Sequence, residues 1–91
     1  MREIYLKLIA KYGPSMQTDV AIEEMSELTK AIIKYRRKTF DNKARTLDME
    51  HIAEEIADVE IMMEQLKIIY NCHDLVSKFK EEKKLRLTKL V

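Results

Sequence analysis

Apolar side chains recur along this chain at spacings of three and four, the period of an α-helix buried on one face, and they never alternate in the period of two that marks a strand. Ile4, Tyr5, Leu8 and Ile9 set out a first short helix from Met1 to Tyr12, which Gly13-Pro14 breaks. A second, long helix is expected from about Ser15, with Ser15 or Thr18 as N-cap, through Ala21, Met25, Leu28, Ile32 and Tyr35 toward Lys38. Thr39 to Leu47 loses the period, contains Asp41-Asn42, and reads as a connection and as the most mobile loop. A third helix is expected from Asp48, read as its N-cap, along Ile52, Ile56, Val59, Met63, Leu66 and Tyr70, with Asn71 ending it. Asp74 or Ser77 then caps a last helix carrying Leu75, Val76, Phe79, Leu85 and Leu87 among many lysines.

The two long helices repeat one another. A shift of 31 positions lays Glu23-Glu24-Met25-Ser26-Glu27-Leu28 on Glu54-Glu55-Ile56-Ala57-Asp58-Val59, and the apolar stripes superpose as well: Ala21 on Ile52, Met25 on Ile56, Ile32 on Met63. Residues three apart share a helix face, so Glu24 with Glu27, and Glu55 with Asp58, each form a pair of carboxylates on the flank of a stripe. Packing the stripes antiparallel brings four carboxylates together, where repulsion and desolvation are relieved only by multivalent cations. A set of hard oxygen ligands without cysteine or obligatory histidine suits Mg²⁺ or Mn²⁺ better than zinc, and the chemistry that most often uses such a cage is phosphoryl transfer. The plain alternative is a solvated acidic face; matched pairs beside matched stripes on successive helices speak against it.

Composition narrows the picture further. With 46% apolar and 36% charged residues, one Gly and one Pro in 91 residues, the chain reads as one all-α domain, residues 1-91, in a four-helix-type bundle. A chain this short covers its apolar stripes incompletely, which predicts a homo-oligomer, dimer or tetramer. Seventeen basic against sixteen acidic residues leave a formal charge of +1, giving no field for nucleic acid or an anionic membrane. A single cysteine, Cys72, and the lack of a signal pattern or a long apolar run lead to the expectation of a cytoplasmic protein.

Glu24-Met25-Ser26-Glu27 and Glu55-Ile56-Ala57-Asp58 resemble the signature of the MazG-type, all-α nucleoside triphosphate pyrophosphatase superfamily, a Glu-x-x-Glu on one helix and a Glu-x-x-Asp on the next long one. The likeness runs over roughly Ser15 to Arg86. It implies a Mg²⁺-dependent enzyme that hydrolyses a nucleoside triphosphate to the monophosphate and pyrophosphate, in an oligomer whose neighbouring chains complete the substrate pocket. Glu24, Glu27, Glu55 and Asp58 would be metal ligands and catalytic residues, with Glu23 or Glu54 orienting water. Basic residues of the last helix, here Lys78, Lys83 and Arg86, would face the triphosphate; some relatives carry an Asn among them, whereas this chain has Glu81-Glu82-Lys83-Lys84.

Lys34, seven residues beyond Glu27 and so on the same helix face, is a further candidate for phosphate, with Lys30, Arg37 and Lys38 beside it. His51, one turn before Glu55, and Gln17 are weaker candidates, with helix packing or a plain polar surface as the alternative. The tyrosines and Phe40 are expected mostly in the core, and Met25, Met62 and Met63 suit an adaptable helical interface. The rival to an enzyme is a non-enzymatic helical module for self-association or partner binding, which would show no dependence on metal.

Overall fold

The computed structural model describes all of Met1–Val91 as four helices and no strand: α1 Arg2–Tyr12, α2 Pro14–Phe40, α3 Thr46–Ile69 and α4 His73–Thr88. No helix is long and apolar enough to cross a membrane. Pro14 occupies the first turn of α2, where its missing N–H has no partner to lose. Gly13 links α1 to α2 at φ 89°, a backbone conformation open to glycine. Gly13 is therefore the N-cap, in place of Ser15 or Thr18; Thr18 instead turns its hydroxyl back to the Pro14 carbonyl at 2.8 Å.

Both long helices end in the same device. Asn42 (φ 57°) and Asn71 (φ 49°) adopt the left-handed conformation. The following N–H groups, of Lys43 and Cys72, reach back to the carbonyls of Lys38 at 2.7 Å and Lys67 at 3.0 Å. These are Schellman closures, and Asn is the residue other than Gly that best tolerates them. The connection between the helices is accordingly shorter than Thr39 to Leu47, because α2 continues to Phe40 and α3 starts at Thr46. Asp48 lies inside α3, one turn in, and its carboxylate accepts from the Arg45 N–H (3.0 Å) and from Lys38 Nζ (2.7 Å). It ties the end of α2 to the start of α3. Likewise α4 begins at His73 with Cys72 before it, earlier than Asp74 or Ser77.

Gln17 pairs with Gln65 near one end of the α2–α3 hairpin and Lys38 with Asp48 near the other, so the two helices run antiparallel. The seam of α2 is Gln17, Ala21, Glu24, Leu28, Ala31, Tyr35 and Lys38, all buried or half-buried; that of α3 includes Ile52, Glu55, Val59, Met62 and Leu66. This differs from the expected stripe by a rotation. Ala21, Leu28, Tyr35, Ile52, Val59 and Leu66 do face the partner helix, whereas Met25, Ile32 and Ile56 are 38%, 40% and 42% exposed and Glu24, Ala31 and Glu55 take the inner places. Ala21 and Ala31, at 0% and 5% exposure, let the backbones approach at positions where larger side chains would hold them apart.

Among the aromatics only Tyr5 and Tyr35 are half-buried; Tyr12, Phe40, Tyr70 and Phe79 are exposed, against the expectation of a mostly internal set. Helix α1 rests on α2 and α3, and α4 touches α3 alone.

Candidate metal centre

Glu24 and Glu55 occupy corresponding places on their helices under the 31-residue repeat, and both turn toward the seam; the antiparallel register set by Gln17 and Gln65 puts Glu24 opposite Asp58. Asp58 lies one turn beyond Glu55. One carboxylate oxygen from each of Glu24, Glu55 and Asp58 falls in a group whose members are all within 4.8 Å of one another. Glu55 is 9% exposed, and its Oε2 is buried with no hydrogen-bond partner. A buried carboxylate oxygen without a donor costs on the order of 1–3 kcal/mol unless something cationic reaches it.

The electrostatics agree. Burial, then the charges of Asp58 and Glu55, a hydrogen bond to Asp58 and the charge of Glu27 hold the Glu24 carboxyl above its ordinary value of 4.5. Two unit charges 4–5 Å apart repel by roughly 3–4 kcal/mol at an effective dielectric of ~20, less on the side where Asp58 meets solvent. Two oxygens on opposite sides of Mg²⁺ stand about 4.2 Å apart and around Ca²⁺ about 4.8 Å. The observed spread therefore needs only small side-chain shifts to hold a hard divalent ion, and no sulfur or nitrogen ligand stands in the group.

Of the four carboxylates expected to converge, Glu27 stands outside the group. Its Oε1 is 3.6 Å from Lys30 Nζ, and the side chain is half exposed. The repeat explains the asymmetry: the position matching Lys30 on α3 is Ile61, so Asp58 has no cation one turn on and Glu27 has one. Glu23 and Glu54, the adjacent acids, are exposed. His51 sits at the rim, exposed, with Nε2 3.9 Å from Glu55 Oε1, beyond hydrogen-bond length.

The basic candidates are not gathered at the carboxylates within one chain. Lys34 lines a shallow surface notch with Lys30, Ile33 and Arg37. Lys78, Lys83 and Arg86 are exposed on α4, which has no contact with α2. Gln17 is buried, and its Nε2 donates to Gln65 Oε1 at 2.8 Å, which makes it part of the seam instead of a ligand contact. Gln65, at 2% exposure, carried no signal of its own in the sequence; its place in the helical register opposite Gln17 is the only trace.

No protein-family model, no curated protein and no solved structure matches the chain.

Proposed function

We propose that this chain is a Mg²⁺-dependent nucleoside triphosphate pyrophosphohydrolase, in a MazG-type helical bundle completed by oligomerisation. The observation that carries the reading is the convergence of Glu24, Glu55 and Asp58 in the α2–α3 seam, with Glu55 Oε2 buried and unpaired. These three would hold the ion, and Glu27 would join them by exchanging its exposed pairing with Lys30 for the cation. The resemblance of Glu24-x-x-Glu27 and Glu55-x-x-Asp58 to the family signature supports the choice of reaction. Bound Mg²⁺ would neutralise charge on the triphosphate.

Around that ion the chain itself supplies position and charge. The rigid seam fixes the carboxylates, so that the phosphates are held in one orientation and water attacks the α phosphorus, breaking its bond to the bridging oxygen and releasing pyrophosphate. Glu23 or Glu54 orients that water. Lys34, Lys78, Lys83 and Arg86 offer cations for phosphate oxygens, the last three from an α4 that lies apart from α2 in its own chain.

The test is product analysis with a panel of ribo- and deoxyribonucleoside triphosphates and Mg²⁺. Monophosphate and pyrophosphate in equal amounts are expected; release of inorganic phosphate with the diphosphate, or no hydrolysis of any nucleotide, overturns the reading. The exposed apolar side chains of the α2–α3 pair favour one other reading, a non-enzymatic self-association module. That reading predicts neither Mg²⁺ binding nor turnover.

A further inference from the structure

The formal charge of +1 is unevenly spread. From Lys34 to Asp48 six basic residues stand against two acidic ones, a local charge of +4, while the other 76 residues hold eleven basic and fourteen acidic, a net −3. The total predicts no pull toward an anionic surface; the distribution does. This basic stretch is the closed end of the α2–α3 hairpin: the last two turns of α2, the five residues from Asp41 to Arg45, and the first turn of α3. The fold neutralises little of it. Asp48 takes Lys38 Nζ at 2.7 Å and Arg45 Nε at 3.6 Å, and Lys34, Arg36, Arg37 and Lys43 form no ion pair within the chain. The same end exposes two large apolar side chains, Phe40 at 81% and Leu47 at 62%, the last residue of α2 and the second of α3.

We propose that this tip docks on an anionic lipid surface, with Phe40 and Leu47 entering the interface and Arg36, Arg37, Lys43 and Arg45 meeting the headgroup phosphates. The directions of the charges favour a plane over a strand. Arg36, Arg37 and Lys38 are consecutive, so at ~100° per residue they leave α2 on three sides, and Lys43 and Arg45 belong to the turn beyond it. A nucleic-acid strand tracks a groove or one face and would meet only part of such a ring. A planar surface approached end-on meets all of it. Leu47 agrees, because an aliphatic side chain gains from an apolar medium and offers no face on which a base could stack. Cations around an apolar point are what holds a segment at a bilayer interface, and no helix need cross the bilayer. Glu55 lies nine residues beyond the start of α3, about 14 Å along the helix, so the carboxylates of the seam stay clear of the surface. This docking does not rest on the proposed function.

The test is flotation of the full chain with phosphatidylcholine vesicles, with and without phosphatidylserine, in metal-free buffer so that no divalent ion bridges protein to lipid. Binding is expected to the phosphatidylserine vesicles alone, and it should be lost as salt rises from about 0.1 M to about 1 M, where screening shortens the reach of the charges. Each cation near such a surface is worth about fivefold in partitioning, so Arg36→Glu with Lys43→Glu should weaken binding by at least about twentyfold. Phe40→Ser should weaken it by about tenfold, and the emission of Phe40→Trp should shift to the blue when vesicles are added. Lys84→Glu with Lys89→Glu on α4, an equal change in net charge, should leave binding unchanged. Absence of binding, equal binding to neutral vesicles, an equal loss in the α4 variant, or tighter binding to a single-stranded oligonucleotide at the same phosphate concentration overturns the proposal. So does a Phe40→Trp emission that is blue without vesicles and depends on protein concentration, since another copy of the chain would then cover the tip. The parent chain's choice between the two vesicles decides the matter whether or not a variant folds.

Discussion

Glu24 and Glu55 show how a residue can be placed against its own solvation. Each is an acid at a position where the helix pair would accept an apolar side chain, with Met25 or Ile56 one residue away. The stability of the apo protein should therefore improve when one charge is removed. Glu55→Gln is expected to raise the unfolding free energy in metal-free buffer by about 1–3 kcal/mol, read by urea denaturation, because it removes repulsion and supplies a donor. With Mg²⁺ and a nucleoside triphosphate, amide variants of Glu24, Glu27, Glu55 and Asp58 should each lose at least about a hundredfold in turnover, measured as pyrophosphate release. A salt-bridge role would lower stability in both buffers and leave turnover alone. The pH dependence follows from the same crowding. Because the native Glu24 carboxyl holds its proton above 4.5, its stabilising contribution is complete below that pH and is lost as pH rises through the higher native value. Asp48 behaves oppositely. The hydrogen bond from Lys38 holds it below 3.8, so its contribution is present above 3.8 and lost on further acidification. Melting temperatures across the acidic range should rise and then fall as pH increases, and Glu24→Gln should flatten the falling part while Asp48→Asn flattens the rising part.

At the level of elements, the α2–α3 register is held by polar contacts at both ends of the hairpin. The Gln17–Gln65 amide pair lies at one end, with Gln65 also donating toward Met62 Sδ at 3.5 Å, and the Lys38–Asp48 pair lies at the other. Truncating Gln65 to Ala leaves the Gln17 amide buried and unpaired, for an expected loss of about 2–3 kcal/mol. Replacing both glutamines by Leu should recover most of it, since no donor is then orphaned. A double-mutant cycle by denaturant unfolding measures the coupling. The helix ends make a separate test. Asn71→Gly should be neutral or slightly stabilising at φ 49°, and Asn71→Val should cost about 1–2 kcal/mol, because a β-branched residue resists the left-handed conformation.

Across the whole molecule, cohesion is uneven. The α2–α3 pair carries the buried residues, while α1 and α4 bury none and α4 leans on α3 alone. Amide exchange in α4 should accordingly approach that of an isolated helix at low protein concentration, and be slowest in α2 around Ala21–Ala31 and in α3 around Glu55–Gln65. Addition of millimolar Mg²⁺ should raise the melting temperature through preferential binding to the native pair, and the gain should vanish in Glu55→Gln. Unchanged melting over that range would remove the metal centre as an explanation of the carboxylates.

Much of this was legible in the residues alone. The helical period, the Gly13-Pro14 break, the end of α3 at Asn71 and the matched acid pairs are local features, each set within a turn or two of backbone. The sequence therefore determined four helices and the helix face on which Glu24 and Glu55 lie. Which face of each long helix turned inward was not local. An apolar stripe wide enough to include both Leu28 and Met25, or both Val59 and Ile56, allows a range of rotations, and only the packing of one helix on the other selects among them. The small side chains of Ala21 and Ala31 favour the rotation that brings backbones close, and that choice moved Glu24 and Glu55 from the flank into the seam, sent Glu27 to Lys30, and left Met25, Ile32 and Ile56 facing outward. Local chemistry decided which residues form helices; the distance between two helix axes decided which of those residues meet.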